Sequence, residues 1–274
     1  MTLDDLLAHP TALPNIPRVV TQLLAELDKD DPDLRRINQL IGQDPALTIR
    51  LLRLANAAIF GRPAKVASVS EALAMLGLGH VRSLALVATL ACAFGATPGL
   101  DMLQFWRCSL DMAKMSRALA GMAGQAGATA FTAGLVHAVG EMAMHAGMPH
   151  TMRALNDAAG VFDPQRPALE SRELGYTFAD VGAGFARHWH FPEELIAAIQ
   201  GQNDPLAREQ CEPLAALLHL AGWMVRGREA GFGDAMRATT FPDIVGLALG
   251  LDSEAVMACA PAEWTRSSEA ALFF

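Results

Sequence analysis

Residues 44–57, which read Asp44-Pro45-Ala46-Leu47-Thr48-Ile49-Arg50-Leu51-Leu52-Arg53-Leu54-Ala55-Asn56-Ala57, decide the fold class of this chain. An acidic residue followed by proline is a typical helix start. The carboxylate can accept hydrogen bonds from the first free backbone amides, and proline has no amide to satisfy. Apolar residues of one face then recur at helical spacing, at Leu47, Leu51, Leu54 and Ala55. The stretch therefore predicts an amphipathic helix that ends near Phe60-Gly61.

The same helical pattern continues along the chain between proline- and glycine-containing breaks. Asp33 and Ser68 or Ser70 are predicted to cap helices. Long helices are predicted over about 101–122, 128–146, 178–189 and 212–228, and a proline-containing loop is predicted over 162–167. Apolar residues make up 52% of the 274 residues and aromatic residues only 6%. Alanine and leucine favour helices, while the β-branched and aromatic runs of strands are scarce, so we predict an all-α protein.

The segment Gly95-Ala96-Thr97-Pro98-Gly99 is the best internal boundary. We predict an N-terminal helical subdomain over residues 1–97, a second helical subdomain over 98–230 and a helical C-terminal extension over 231–274. The chain ends in Leu272-Phe273-Phe274. Apolar residues at a chain end either dock on the core or contact a partner, and we expect docking.

Charge argues against nucleic-acid binding, because the formal net charge is −8 and such proteins normally carry a basic face. The small basic groups, such as Arg226 with Arg228, are predicted to be solvated helix faces. The longest apolar run, 84–94, has about 11 residues, too few for the roughly 20 that cross a bilayer. No membrane contact is expected. The four cysteines show no metal or redox spacing, and the acidic start lacks a secretion signal, so a cytoplasmic location is predicted.

An ordered set of motifs in the first half resembles a known family. Leu13-Pro14-x-x-Pro17 precedes the stretch around Asp44-Pro45, which is followed by Ser68-Val69-Ser70-Glu71-Ala72, Leu76-Gly77 and Val81-Arg82. Together with later tryptophan motifs, these residues resemble the HDOD domain, the bacterial HD-related output domain, over about residues 10–225. The matching positions are Pro14, Pro17, Asp44, Pro45, Asn56, Gly77, Trp106 and Trp189, and we interpret them as determinants of the fold. The family usually has Asn-Ser where this chain has Asn56-Ala57.

The resemblance implies an N-terminal helical bundle packed on a C-terminal core like that of the HD metal-dependent phosphohydrolases. It also implies bacterial signal transduction without phosphohydrolase activity. HD enzymes use a metal ion to activate water and polarise the phosphoryl group. Where related sequences carry the metal ligands, this chain has Cys108, His137, Ala138, Phe178, Gln202 and Gly222. Because only His137 keeps its ordinary donor chemistry, we expect no catalytic residues, no metal and no cofactor.

The expected role is therefore a non-enzymatic regulatory module that contacts a protein partner such as a sensor, a cyclase or a regulator. The main alternative is a metal-free sensor of a small molecule, with a nucleotide as one ligand class, in a remnant pocket formed by the six positions above. The second alternative is a residual phosphohydrolase. A replacement metal site at His137, Glu141 and His145, four residues apart on one predicted helix face, is weighed and disfavoured because the outer two are about 12 Å apart along the axis.

Overall fold

The computed structural model of the chain describes residues 1–9, 11–12, 14, 17–27, 29, 31–56, 66–95, 97–207, 211–259 and 264–271. Every regular element in these residues is a helix, so the prediction of an all-α protein is confirmed. The helices are α1 Leu3–Leu7, α2 Arg18–Leu27, α3 Leu34–Gly42, α4 Pro45–Ala55, α5 Val69–Leu76, α6 Leu78–Phe94, α7 Met102–Met122, α8 Gly127–Val136, α9 Val139–Gly147, α10 Pro149–Ala158, α11 Arg166–Leu174, α12 Phe178–His188, α13 Glu193–Gly201, α14 Pro213–Glu229, α15 Asp234–Thr240, α16 Asp243–Ala248, α17 Ser253–Ala258 and α18 Ser267–Ala270.

The chain divides into two compact units. The larger unit comprises Met1–Leu13 and Thr97–Trp264, and the smaller unit comprises Pro14–Ala96 and Thr265–Phe274. Residues 231–264, part of the predicted C-terminal extension, therefore belong to the larger unit. The division into 1–97, 98–230 and 231–274 itself stays a prediction. The tail Leu272-Phe273-Phe274 lies outside the described residues.

Local capping fixes the helix boundaries of the smaller unit. Asp33 accepts hydrogen bonds from the amides of the first turn of α3, and Asp44 accepts one of 3.1 Å from the amide of Leu47. Ser68 accepts a bond of 3.1 Å from the amide of Glu71 and so caps α5. Gly77 ends α5 with φ = 78°, a backbone angle that glycine adopts without strain. These predicted helix starts and stops are found as expected.

Asn56 links the end of α4 to Val66 in the smaller unit. Its side-chain amide donates to the carbonyls of Leu52 and Val66, at 2.9 and 2.8 Å, and its Oδ1 accepts from the amide of Val66 at 2.7 Å. Helix α4 ends at Ala55, and the end predicted near Phe60-Gly61 lies outside the described residues. The side chain of Asn56 thus bonds to the backbone ten residues further on, which agrees with its predicted role as a determinant of the fold.

In the larger unit, helices meet through glycines. A Cβ added at Gly134 on α8 would lie 2.7 Å from the Cα of Ala113 on α7. A Cβ added at Gly140 on α9 would overlap the Phe178 carbonyl and lie 2.6 Å from the amide of Gly182 on α12. Backbones therefore approach directly at these two crossings. Within the described part of the chain, no helix combines the length and apolar character needed to cross a membrane.

Two sequence-based boundaries in the larger unit need correction. The single helix predicted over 128–146 is broken at His137-Ala138, which separates α8 from α9. The loop predicted over 162–167 is shorter, because α11 begins at Arg166. Both differences matter for the site, since they change which side chains share a helix.

Candidate functional site

His137 lies at the break between α8 and α9 and is 1% exposed. Its Nδ1 is 2.8 Å from the carbonyl oxygen of Gly134. A carbonyl only accepts, so this nitrogen carries the ring proton. Burial lowers the pKa of His137 to about 3, with a further contribution from the positive charge of Arg226. The residue is therefore a neutral histidine with its ring fixed in the core.

Gln202, directly after α13, holds the same break in place from the other side. Its side-chain nitrogen donates to the carbonyls of His137 and Ile199, both at 2.9 Å. The backbone carbonyl of Gln202 lies 2.9 Å from Nδ1 of His219 on α14. Burial lowers the pKa of His219, so this ring is also neutral near pH 7. Gln202 thus acts as a structural link between α8, α13 and α14.

The structure divides the six remnant positions into two groups. Cys108, His137, Ala138 and Phe178 are between 0% and 2% exposed and are packed into the core. Gln202 and Gly222 line an open cavity. Burial raises the pKa of the Cys108 thiol far above its usual value, so this side chain behaves as a small apolar group rather than a thiolate.

This set of side chains does not fit the metal ion of an HD phosphohydrolase. Ala138, Phe178 and Gly222 have no donor atom, and the nitrogen of Gln202 already donates to two carbonyls. A stable site normally needs three or four ligands. Among the described residues, no group of three or more His, Cys, Asp or Glu side chains is placed to hold a metal.

The trio His137, Glu141 and His145 is not on one helix, because the break leaves His137 outside α9. Glu141 and His145 share α9, with Oε2 and Nε2 separated by 3.8 Å. Instead of a metal, Glu141 faces Arg166 on α11, whose Nη2 donates to Oε2 at 3.3 Å. Burial, and then the neighbouring carboxylate of Glu170, raise the pKa of Glu141 well above its usual value.

Arg166 organises a buried polar cluster that sequence reasoning missed. Its Nε donates to Glu170 at 2.7 Å, and its Nη1 donates to Asn156 and to the carbonyl of Ala159. The second oxygen of Glu170 accepts a bond of 2.7 Å from the amide of Phe178 and so caps α12. The spacing of Arg166 and Glu170, four residues apart, was a usable signal, but the segment around Arg166 was predicted to be a loop.

The cavity beside this cluster has a volume of about 360 Å³, within the roughly 300–1,000 Å³ range of ligand sites. Its apolar wall includes Met112, Pro164, Pro167, Leu218, Trp223 and Phe232. Its polar wall consists of Gln202, Asn203, His219 and Arg226. The cavity therefore overlaps the predicted remnant pocket only at Gln202 and Gly222.

Arg226 corrects a prediction as well, because it is not on a solvated helix face. It is half-buried, and its Cζ lies 5.1 Å from the centroid of the Phe178 ring. Arg228, its predicted companion, binds the buried Asp111 through Nη1 at 3.1 Å. Arg226 and Arg228, near the end of α14, therefore make contacts with buried residues that composition alone did not indicate.

Comparison with known proteins places this geometry in a family. The model of the HDOD domain matches residues 13–205, about 70% of the 274 residues. The chain belongs to the HDOD domain family. The HDOD match covers α2 to α13, and thus His137, Phe178 and Gln202, but it ends before α14, which carries Gly222 and Arg226.

Solved structures share the fold of this HDOD protein. A provisionally named phosphohydrolase from Shewanella amazonensis SB2B superposes with a TM-score of 0.80 at 26% identity, covering 98% of each chain. An HDOD domain protein of unknown function from Geobacter sulfurreducens gives a TM-score of 0.75 at 23% identity, covering 90% of this chain and 88% of its own. A curated, uncharacterized protein from Treponema pallidum is 26% identical over 217 residues, which are 78% of this chain and only 42% of that protein.

A third solved structure, a provisionally named signal transduction protein from Marinobacter aquaeolei VT8, has a TM-score of 0.77 at 23% identity. The alignment covers 100% of this chain and 61% of that one. At this level of identity the likeness concerns the fold. The HDOD chain therefore has relatives both of its own length and of greater length.

Proposed function

We propose that this chain is a non-enzymatic regulatory module of bacterial signal transduction that acts through contacts with a partner protein. The observation that carries the proposal is the chemistry at the six remnant positions. His137 is neutral and packed in the core, and the other five positions supply no ordinary metal donor. The name of the longer Marinobacter relative, a signal transduction protein, agrees with this role.

An exposed apolar surface on α16 supports partner binding. Ile244 and Leu247 are 72% and 81% exposed, although both side chains are large and apolar. They lie three residues apart and hence on the same side of the helix. Exposed apolar side chains that cluster in this way commonly mark contact surfaces. We therefore choose α16 as the place to test for a partner.

The test uses a photo-crosslinking amino acid at Leu247 in the chain expressed in its native host. We expect a discrete crosslinked protein. The same group placed at Arg172, which is 72% exposed on α11, serves as the control and should give no such product. Equal products from both positions would contradict a specific contact surface on α16.

The name of the Shewanella relative supports a competing function, metal-dependent hydrolysis. It is tested with a generic phosphodiester and added Mn²⁺. We expect wild-type turnover no higher than that of His137→Ala, because too few donor groups remain to hold the ion that activates water. Turnover that requires both Mn²⁺ and His137 would overturn the non-enzymatic proposal.

The cavity next to Gln202 supports a further candidate, a small-molecule sensor. Its volume and largely apolar wall are typical of ligand sites. A ligand that binds only the native state raises the unfolding temperature in a saturable manner. Thermal unfolding against a panel of metabolite classes tests this role independently of the crosslinking experiment.

A further inference from the structure

The guanidinium of Arg226 lines the cavity without a hydrogen-bonded partner among the described residues. No described residue forms a hydrogen bond or a close ion pair with it, and its Cζ lies 5.1 Å from the centroid of the Phe178 ring. The carboxylates of Glu170 and Glu141 attract its charge without bonding to it. A guanidinium carries five N–H donors in a fixed plane. A contact with a ring face stabilises the positive charge but uses none of these donors in a hydrogen bond.

The nearby carboxylates are already engaged elsewhere. Both oxygens of Glu170 accept hydrogen bonds, one from Arg166 and one from the amide of Phe178. Glu141 accepts from Arg166, and its raised pKa favours the neutral form. Glu170 and Glu141 attract the charge of Arg226, but both are hydrogen-bonded to Arg166. No carboxylate of the described residues is therefore bonded to the guanidinium of Arg226. A partly buried charge in this position is costly unless a negative group pairs with it.

The rest of the cavity wall limits the chemistry of a ligand whose negative group pairs with Arg226. Met112, Leu218, Trp223 and Phe232 form an apolar lining, and Arg226 is the one cationic residue among those that line the cavity, since His219 is held neutral by burial. A single positive charge matches a single negative charge. A phosphate monoester carries about −1.5 to −2 at pH 7, and a nucleotide polyphosphate carries more.

We propose that this cavity binds a small organic monocarboxylate with an apolar or aromatic body, and that Arg226 is the residue that receives its carboxylate. The planar guanidinium can donate two parallel hydrogen bonds to the two carboxylate oxygens. The apolar body then covers the wall formed by Trp223 and Leu218. The site does not depend on the proposed protein contacts at α16, and a failure here leaves the crosslinking result unchanged.

The first experiment compares acids with neutral amides of the same shape, using calorimetric titration of the full chain. The probes are benzoate, phenylacetate and hexanoate, with benzamide, phenylacetamide and hexanamide as matched partners. We expect at least one acid to bind saturably, and its amide to bind about tenfold more weakly or worse, because the charge-assisted hydrogen bonds are lost. Phenyl phosphate is the comparison probe for a dianionic group, and we expect it to bind less well than the best acid.

Variants then assign the binding to the cavity. Arg226→Gln should reduce acid binding to the level of the amide, whereas Arg172→Gln, which removes one exposed positive charge on α11, should leave it unchanged. Gly222→Leu and Gly222→Ala form a second pair. A Cβ at Gly222 meets only the terminal methyl of Met112, at 3.8 Å. Alanine should therefore preserve binding, and leucine should fill the cavity and abolish it. This pair keeps the test valid if Arg226→Gln does not fold.

The proposal would be overturned by no binding of any acid at millimolar concentration, equal binding of an acid and its amide, tighter binding of phenyl phosphate, or full acid binding by folded Arg226→Gln. Retention of binding by folded Gly222→Leu would equally show that the acid occupies another place.

Discussion

The side-chain amide of Gln202 donates a hydrogen bond of 2.9 Å to the backbone carbonyl of His137 and so ties the end of α13 to the break between α8 and α9. Related HD enzymes use both regions for metal ligands, as the family resemblance implies. In this chain the same two places are joined by a structural hydrogen bond instead. Both residues are thereby bonded within the core, where His137 is 1% and Gln202 is 5% exposed.

The first prediction concerns this bond. Gln202→Ala should lower the free energy of unfolding by about 1–3 kcal/mol, because the buried carbonyls of His137 and Ile199 lose their donor. Gln200→Ala, in the last turn of α13 but bonded at the surface to Arg187, should change it by less than about 1 kcal/mol. Urea unfolding of both variants measures the difference. Equal effects would show that the bond to His137 adds nothing to stability.

The second prediction compares two helical glycines. Gly140→Ala should destabilise the chain by about 3 kcal/mol or more, because the added methyl would overlap the backbone of α12 at Phe178. Gly222→Ala should stabilise it by up to about 1 kcal/mol, since alanine favours the helix and the cavity leaves room for the methyl. The two variants should therefore shift the unfolding temperature in opposite directions. A shift of both in the same direction would contradict the close packing at Gly140 and the free space at Gly222.

The sequence predicted the elements whose causes are local. Asp44, Ser68 and Gly77 act within one helical turn, so their caps followed from residue type and spacing. The break between α8 and α9 at His137 could not be predicted from residue type and spacing, because the surrounding residues favour a continuous helix. Two contacts distant in sequence accompany it: the bond from Gln202 and the close approach of Gly140 to Phe178.

The polar part of the site was missed for a similar reason. An arginine near the end of a helix, such as Arg226, is usually solvated and interacts favourably with the helix dipole. Its contact with Phe178 depends on the first residue of α12 lying next to α14 at that point. The family resemblance located His137, Phe178 and Gln202, but it could not show that Arg226 lines a cavity beside them.

The third prediction concerns acid stability. Burial lowers the pKa of His137 to about 3 and that of His145 to about 4, from 6.5. For a group with a lowered folded-state pKa, the stabilisation is complete above pH 6.5 and is lost as pH falls toward the folded value. Each histidine should thus cost up to about 1.4 kcal/mol per pH unit below pH 6.5.

Urea unfolding of His137→Asn and His145→Asn between pH 7 and pH 4.5 checks this expectation. Asparagine can still donate to the carbonyls of Gly134 and Pro98 that the two rings contact, but it does not titrate. Both variants should lose less stability than wild type as pH falls. The exposed His150 provides the control, and His150→Asn should follow the wild-type slope. If the stability of both core variants fell with pH as steeply as that of wild type, the lowered pKa values of His137 and His145 would be contradicted.

The fourth prediction concerns Glu141 and has the opposite sign. Burial and the carboxylate of Glu170 raise the pKa of Glu141 well above 4.5. The stabilisation linked to this group is fully present below pH 4.5 and is lost as pH rises through its folded-state pKa. Glu141→Gln removes the titration and keeps an oxygen that can accept from Arg166. The free energy of unfolding of Glu141→Gln should therefore increase relative to that of wild type as pH increases from 5 to 9. Glu173→Gln, at a side chain that is 50% exposed, should show no such increase.

If the difference in unfolding free energy between Glu141→Gln and wild type is the same at pH 5 and pH 9, Glu141 is ionised in the core throughout this range. An ionised Glu141 would then compensate the charge of Arg226, which would have less need of a carboxylate from a ligand.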